Sequence, residues 1–425
     1  MRKPSGIESL YIDFDAFFAN AEKQLRPELR DRPVGVIPLE SRHTSLIARC
    51  YQAKAAGLSR GMKVAEAKAL CPEIALPVAR HDEYVKLHNR ILDVVDQYVP
   101  VKKVWSIDEV ECELIGAERE TCIELAQNIR AGLRRHIGSY VTPSIGLAPN
   151  QFLAKVAAEM DKPNGFVMLR PEVLPGPLLR LPLTALPGIS RGIEKRLMKA
   201  GVTTIEQLWN LAPKQARKIW GSVEGERFWA QLHGYEVSRP ETERRMFGHG
   251  RILSQQWREP RNARDCLRLL TAKAAHRLRR EGYMARCLSV GISTPDKRYW
   301  NSEARFAPAR DDRTFLSAGC ALFDQGLISL QAKRLKKVSV SLYGLKRFEQ
   351  TSADLFETDE QRRTSARWEN LTDTMDGLNA RYRACVVSLG MHRQPRGGYA
   401  GAKIAFGRVP DMMDFATAPQ TSKSD

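Results

Sequence analysis

The sequence predicts a multidomain α+β chain, and three observations predict it. Strand-like and helix-like patterns alternate over the first 170 residues in the order β, α, β, β, α, β. Proline-rich punctuation then opens a small helical region. A strongly basic segment of mixed strands and helices follows. The first of these orders is that of the ferredoxin-like split unit.

The elements follow in chain order. Ser9 to Asp15 alternates, with Leu10, Ile12 and Phe14 on one side and Tyr11, Asp13 and Asp15 on the other, the pattern of a half-buried strand. An insertion of residues 17–81 comes next, mostly helical in its middle, with turn signals at Arg32-Pro33 and Cys71-Pro72. Tyr84, Leu87, Ile91, Val95 and Tyr98 recur at helical spacing. Val101 to Leu114 reads as two short strands bent near Ser106–Glu109. Cys122, Leu125, Ile129, Leu133 and Ile137 form a second helical stripe, and Val141 to Leu147 a strand followed by a helix beginning near Asn150.

Pro171, Pro175, Pro177, Pro182 and Pro187 mark a boundary. Leu186-Pro-Gly-Ile189, with Ile193, Leu197 and Gly201, has the pattern of a helix-hairpin-helix over residues 181–240. Its Pro-Gly turn, at Gly188 and Ile189, aims backbone N–H groups at a phosphate, a sequence-independent grip on DNA. A weaker copy spans Gly221 to Gly225. In the basic segment 241–350, Ala263 to Arg280 reads as a helix, and Leu288 to Ile292 and Val338 to Leu342 as strands. A helix from about Trp368 to Tyr382 precedes a Gly-rich basic tail.

Charge narrows the function classes. The formal net charge is +18, and residues 241–350 carry 23 Lys+Arg against 11 Asp+Glu. Such an imbalance points to a polyanion, and here to nucleic acid. No apolar run is long enough to span a bilayer, the N-terminus lacks the apolar segment of a signal peptide, and no membrane partner is expected. The eight cysteines form no C-x-x-C pair, which fits a reducing cytoplasm better than a zinc knuckle or a disulfide framework. There is no G-x-x-x-x-G-K-[ST] loop, so an ATPase motor is unsupported.

Three carboxylates carry the chemistry. Asp13 lies on the polar side of the first strand, and Asp108 and Glu109 at the bend between two strands that neighbour it in the split unit. Clustered carboxylates repel unless a cation neutralises them. Mg²⁺ prefers such oxygen ligands and leaves positions for substrate phosphates. Two ions, with Mn²⁺ as a substitute, would serve an in-line displacement.

The ordered motifs around these residues resemble those of Y-family DNA polymerases. Tyr11-Ile-Asp-Phe-Asp-Ala-Phe-Phe-Ala19 with Glu22 is similar to the family's opening motif, and Trp105-Ser-Ile-Asp-Glu109 to its second acidic motif. Ser144-Ile-Gly-Leu-Ala148, Leu153-Ala-Lys155 and Lys162-Pro-Asn-Gly165 resemble a third block. Leu378-Asn-Ala-Arg-Tyr382 resembles the extra tail of the UmuC-like branch.

The resemblance implies a right-hand polymerase. It would have a ferredoxin-like palm (residues 1–16 and 82–180), small fingers (17–81), a helix-hairpin-helix thumb (181–240), an α/β little finger (241–350) and a tail (351–425). It implies error-prone, template-directed translesion synthesis in DNA repair and the SOS response. Primer-template DNA and deoxynucleoside triphosphates would be the substrates.

By the same resemblance Asp13, Asp108 and Glu109 are metal ligands, joined by the Phe14 carbonyl. Phe18 is the steric gate against a ribose 2′-OH. Tyr51, Lys54 and Lys162 contact the triphosphate. Ala353-Asp354-Leu355-Phe356 resembles the end of a sliding-clamp-binding peptide, and the UmuC-like tail raises a UmuD-type partner.

Two departures stand out: Lys54 replaces the usual Arg and loses its bidentate fork, and Glu111 adds a carboxylate near the site, where it either retunes metal affinity or faces solvent. The alternatives are a weak or inactive polymerase-like DNA-binding accessory protein of a mutasome, which would have lost acidic residues, and a hairpin-containing repair nuclease, which would not need Tyr51, Lys54 and Lys162.

Overall fold

The computed structural model describes residues 1–238, 243–350, 358–382, 386–390 and 409. The chain divides into two compact units, one of residues 1–240 and a second from residue 241 on.

In the first unit the alternating strand is β1 (Ser9–Phe14). The insertion holds α1 (Phe17–Leu25), β2 (Gly35–Val36), β3 (Ala48–Arg49), α2 (Tyr51–Ala55) and α3 (Val64–Leu70). Then come α4 (His81–Val95), β4 (Val101–Val104), β5 (Glu109–Glu113), α5 (Cys122–His136), β6 (Pro143–Ala148), α6 (Gln151–Met160) and β7 (Phe166–Met168). The sheet order is β4-β5-β1-β6-β7, with β1 antiparallel to both neighbours and β7 parallel to β6. The first four positions are the split unit, and β7 extends it. The small β2–β3 sheet was not foreseen, because two-residue strands carry too little alternation to register.

One expectation is corrected. All six residues of β1 are buried, not only one face. Tyr11 belongs to an apolar cluster with Phe152, Leu153 and Val156 of α6 and with Leu178, Leu197 and Phe228 beyond the sheet, so the second face is covered too.

The helix α6 starts where Asn150 caps it, its Oδ1 accepting the Leu153 N–H at 2.9 Å. The helix lies so close to β6 that a Cβ on Gly146 would stand 1.9 Å from the Ala154 carbonyl oxygen. We expect Gly146→Ala to cost about 3 kcal/mol or more, read as a fall in the denaturant midpoint of the purified chain.

The helical region contains α7 (Arg191–Lys199), α8 (Ile205–Trp209), α9 (Pro213–Trp220) and α10 (Glu224–Leu232). Gly188, with φ +95°, makes the turn into α7, and Gly221, with φ +71°, the turn out of α9. The first arm of the expected hairpin is only a 3₁₀ turn, Leu183–Ala185.

The second unit comprises β8 (Met246–Ile252), α11 (Pro260–Arg280), β9 (Tyr283–Ser293), β10 (Tyr299–Ala309), α12 (Asp312–Leu330), β11 (Lys337–Tyr343) and α13 (Asp359–Arg381). Its main sheet runs β10-β9-β11-β8. Phe247, Leu288 and Val340 of that sheet pack with Leu270 of α11 and Phe323 of α12. The strand β10 escaped sequence reading because its exposed positions include Tyr299 and its inward row, Trp300 to Ala309, is interrupted by Ser302 and Pro308.

The helix α13 begins at Asp359, well before the expected start near Trp368. Its early turns are polar and show no apolar stripe, so periodicity could not mark them. It docks largely by charge. Arg279, buried, donates to Asp376 at 2.7 Å and Asp312 at 2.8 Å, and Arg310 reaches Asp373 at 2.7 Å and Glu369 at 3.1 Å.

Burial alone would raise the Asp376 carboxyl, but hydrogen bonds from His276 and Arg279 hold it down at about 2. A depressed carboxylate stabilises the fold above its unfolded value, near 3.9, and that stability is lost as pH falls toward about 2. Asp376→Asn should therefore destabilise this unit by about 2 kcal/mol at neutral pH and by less as the pH is lowered. Thermal unfolding of both chains at several pH values checks this.

Among the described residues seven cysteines are free and none is paired. No helix there is long and apolar enough to cross a membrane. Asp354, Leu355 and Phe356 lie outside the described residues.

Candidate active site

The acidic loop is a tight hairpin between β4 and β5. The N–H groups of Trp105 and Ser106 both donate to the Glu109 carbonyl, at 3.0 and 3.3 Å. The buried His88 ring sits with Nδ1 2.8 Å from the Ile107 carbonyl oxygen, and burial lowers its pKa, so the ring is neutral and donates. Phe14 N–H donates to the Asp108 carbonyl at 2.8 Å, and the β1–β5 register sets Asp13 directly opposite Glu109. The three carboxylates thus stand at adjoining strand ends, as their sequence positions imply.

Each carboxylate has a partner. Lys162 Nζ lies 2.6 Å from Asp13 Oδ1 and 2.6 Å from Glu159 Oε1. Ser106 Oγ donates to Asp108 Oδ1 at 2.5 Å, and Lys155 forms an ion pair with Glu109. Burial pushes the Asp13 carboxyl up, to about 8, against the pull of the Lys162 ammonium. Burial and the charge of Glu109 also raise Asp108, while the Ser106 hydroxyl pulls it down. Among the described residues no three acidic, His or Cys side chains are drawn into a coordinating cluster.

The donor chemistry nonetheless fits hard divalent cations. Three carboxylates stand at adjoining strand ends, and two ammonium groups, one of them shared with Glu159, offset only part of their charge.

A cavity of about 840 Å³ brings together Phe18, Tyr51, Lys54, Asp108, Glu109 and Lys162. Asp13 and Phe14 do not line it; Asp13 joins through Lys162. The Lys54 ammonium is 5.2 Å from the centre of the Tyr51 ring, and burial pushes the Tyr51 phenol up to about 12, so it stays protonated. Phe18 is nearly buried. It stacks on Tyr84 with ring centres 4.7 Å apart and meets His81 edge-on at 5.6 Å. Tyr84 donates to the fully buried Glu22 at 2.7 Å, and Arg80 grips the same carboxylate with two bonds of 3.0 and 2.9 Å.

Sequence reading missed several residues. Arg49 and Arg60 line the cavity beside Lys54. Their signal was their position, flanking the Tyr51-to-Gly57 motif with cationic side chains. Asp15, buried, accepts hydrogen bonds from Thr142 Oγ1 (3.0 Å), Ser144 Oγ (2.9 Å) and Asn164 N–H (2.7 Å), tying the loop after Lys162 to β1.

Ile189 is 5% exposed, and its N–H donates to the Leu186 carbonyl at 3.1 Å within the turn. One further expectation is corrected. Glu111 does not face solvent. It is buried opposite Tyr11, accepting from Trp105 Nε1 at 2.9 Å with Lys102 at 3.6 Å.

The matches to known proteins agree with this geometry. The impB/mucB/samB family model matches residues 12–159, and the model of that family's C-terminal domain matches residues 244–355. DNA polymerase IV of Moorella thermoacetica is 31% identical over 82% of this chain and 88% of its own length. That of Pelotomaculum thermopropionicum is 29% identical over 92% and 98%. A chimera of the Y-family DNA polymerases Dbh and Dpo4 superimposes with a TM-score of 0.66 at 21% identity, covering 79% of this chain and 98% of that one. An insertion ternary complex of Dbh DNA polymerase gives 0.54 at 22% identity over the same shares. The two family models together match more than half of the chain, which therefore belongs to the impB/mucB/samB family of Y-family DNA polymerases, DNA-directed DNA polymerases.

Proposed function

We propose that the chain carries out template-directed nucleotidyl transfer to a primer, tolerant of template lesions, at the Asp13–Asp108–Glu109 centre. One observation carries this reading: a single cavity holds the acid pair, the aromatic Phe18 and the triphosphate-matching Tyr51, Lys54 and Lys162. A nuclease has no need of the last four.

In this reading the split unit is the palm, residues 17–81 the fingers, 181–240 the thumb and 241–350 the little finger, with residues 351–425 as tail. Asp13, Asp108, Glu109 and the Phe14 carbonyl would hold two Mg²⁺ ions, or Mn²⁺ in their place. When bound, such ions lower the pKa of the attacking hydroxyl and stabilise charge on the leaving oxygen.

The chain's own side chains do the rest. Lys54, Lys162, Arg49 and Arg60 supply positive charge for the triphosphate. Arg49 and Arg60 return the guanidinium forks that Lys54 lacks. Lys162 would exchange its Asp13 and Glu159 partners for phosphate oxygens. Phe18, backed by Tyr84, closes the space beside C2′ of the sugar. Gly188 offers the thumb turn to a DNA phosphate.

Small fingers enclose the new base pair loosely, which favours bypass over accuracy. Membership of the UmuC-like branch, with its SOS role and UmuD-type partner, rests on Leu378–Tyr382 alone, whereas the two relatives above bear the DNA polymerase IV name. Clamp binding through Asp354, Leu355 and Phe356 rests on their sequence.

The test is primer extension by the purified chain on undamaged templates and on templates with an abasic site, with binding measured in parallel. Extension past the abasic site supports translesion synthesis, whereas extension that stops there removes it. Normal DNA binding without extension on either template would favour the accessory reading.

A further inference from the structure

A second cavity, of about 740 Å³, opens between the sheet and the helical region, lined by Ser9, Tyr11, Trp105, Phe152, Lys155 and Phe228. The Ser9 hydroxyl is buried with no hydrogen-bond partner, and Tyr11 is fully buried. Lys155 lines this cavity, Glu109 lines the first, and their ion pair joins the two. Glu109 therefore stands at the boundary of the two chambers.

An in-line displacement needs the attacking and leaving oxygens on opposite sides of the reacting phosphorus. The groups matched to the leaving pyrophosphate, Tyr51, Lys54 and Lys162, all line the first chamber. The attacking strand must then enter from the second.

At the mouth of that second chamber stands Trp105, three residues before Asp108 and 42% exposed, an unusual exposure for so large an apolar ring. It is held in place twice. Its Nε1–H donates to Glu111 Oε2 at 2.9 Å, and Lys103 Nζ lies 3.9 Å from the ring centre. Glu111 is 6% exposed, and Lys102, which it shares with Glu113 and Glu236, stands 3.6 Å away.

We propose that Trp105, propped by Glu111 and Lys103, is the platform on which the 3′-terminal nucleotide of the primer rests, and that Glu111 is a positioning residue and not a metal ligand. The proposal rests on the polymerase reading. It explains the extra carboxylate at position 111 and the exposed indole as one device. An aromatic platform under a base is worth about 10- to 100-fold in binding or extension.

The test uses the full chain with a primer ending in 5-iodouracil, irradiated without nucleotide, and the adduct mapped by mass spectrometry. The adduct is expected on Trp105. Trp105→Ala should abolish it and lower extension about 10- to 100-fold with the KM for the nucleotide unchanged. Glu111→Ala should weaken the adduct, and Glu111→Gln, which keeps an acceptor for the indole N–H, should restore it. A merely structural residue would not move the adduct site.

An adduct elsewhere, or one indifferent to Trp105→Ala, in a chain that extends primers normally overturns the proposal and leaves the polymerase reading intact. A chain that binds the primer but extends nothing removes the polymerase reading, and with it the platform's role at the primer terminus, whatever the adduct site. Circular dichroism of each variant shows whether it is folded.

Discussion

Replacing Asp108 and Glu109 together by alanine is expected to abolish primer extension, a loss of about 10³-fold or more, equivalent to about 4 kcal/mol of transition-state stabilisation. The two residues sit on a tight hairpin fixed by backbone bonds to the Glu109 carbonyl and by the His88–Ile107 contact, so the loop should keep its shape without their carboxylates. DNA binding should survive and even tighten slightly. Two negative charges leave the path of a polyanion, and Lys155, which pairs with Glu109, becomes free for phosphate. Rapid-quench extension and fluorescence-anisotropy binding on the same preparation separate the two effects. A variant that still extends at more than a tenth of the wild-type rate would show that the chemistry lies elsewhere.

The second large effect concerns the sugar. Phe18→Ala should lower discrimination against ribonucleotides by about 100-fold. Phe18 is not a loose side chain: it stacks on Tyr84, whose hydroxyl is held by Glu22, itself fully buried and gripped by Arg80. A wall backed in this way cannot yield by a fraction of an ångström, so an added 2′-OH meets hard contact. Losing the ring also opens a cavity costing about 3 kcal/mol, and Phe18→Leu serves as the better-folded companion with an intermediate loss of selectivity. The ratio of insertion efficiencies for paired ribo- and deoxyribonucleoside triphosphates measures it. An unchanged ratio in both variants would mean that another residue abuts C2′.

The placement of the three carboxylates was legible because their motifs are ordered along the chain. Asp13, Asp108 and Glu109 could be brought together by strand topology alone, since β1 and β5 are neighbours in any split unit. What escaped reading depends on contacts across the chain. The burial of both faces of β1 comes from α6 and the helical region, which no alternation within β1 could report. The fate of Glu111 was set by Trp105, just past the end of the neighbouring strand β4. The Pro-Gly pattern marked the turn at Gly188 but not that the Ile189 amide is bonded within it. The helix α13 hid its first turns because it docks through Arg279 and Arg310 and not through an apolar stripe.

The most direct test of the central claim is single-nucleotide insertion by the purified chain on a primed template, with pyrophosphate release followed alongside. The expected result is insertion of the complementary nucleotide, one pyrophosphate released per insertion, dependence on added Mg²⁺ and loss on chelation. A chain that binds the primed template yet inserts nothing with Mg²⁺ or Mn²⁺ present, or that inserts equally well under chelation, would contradict it.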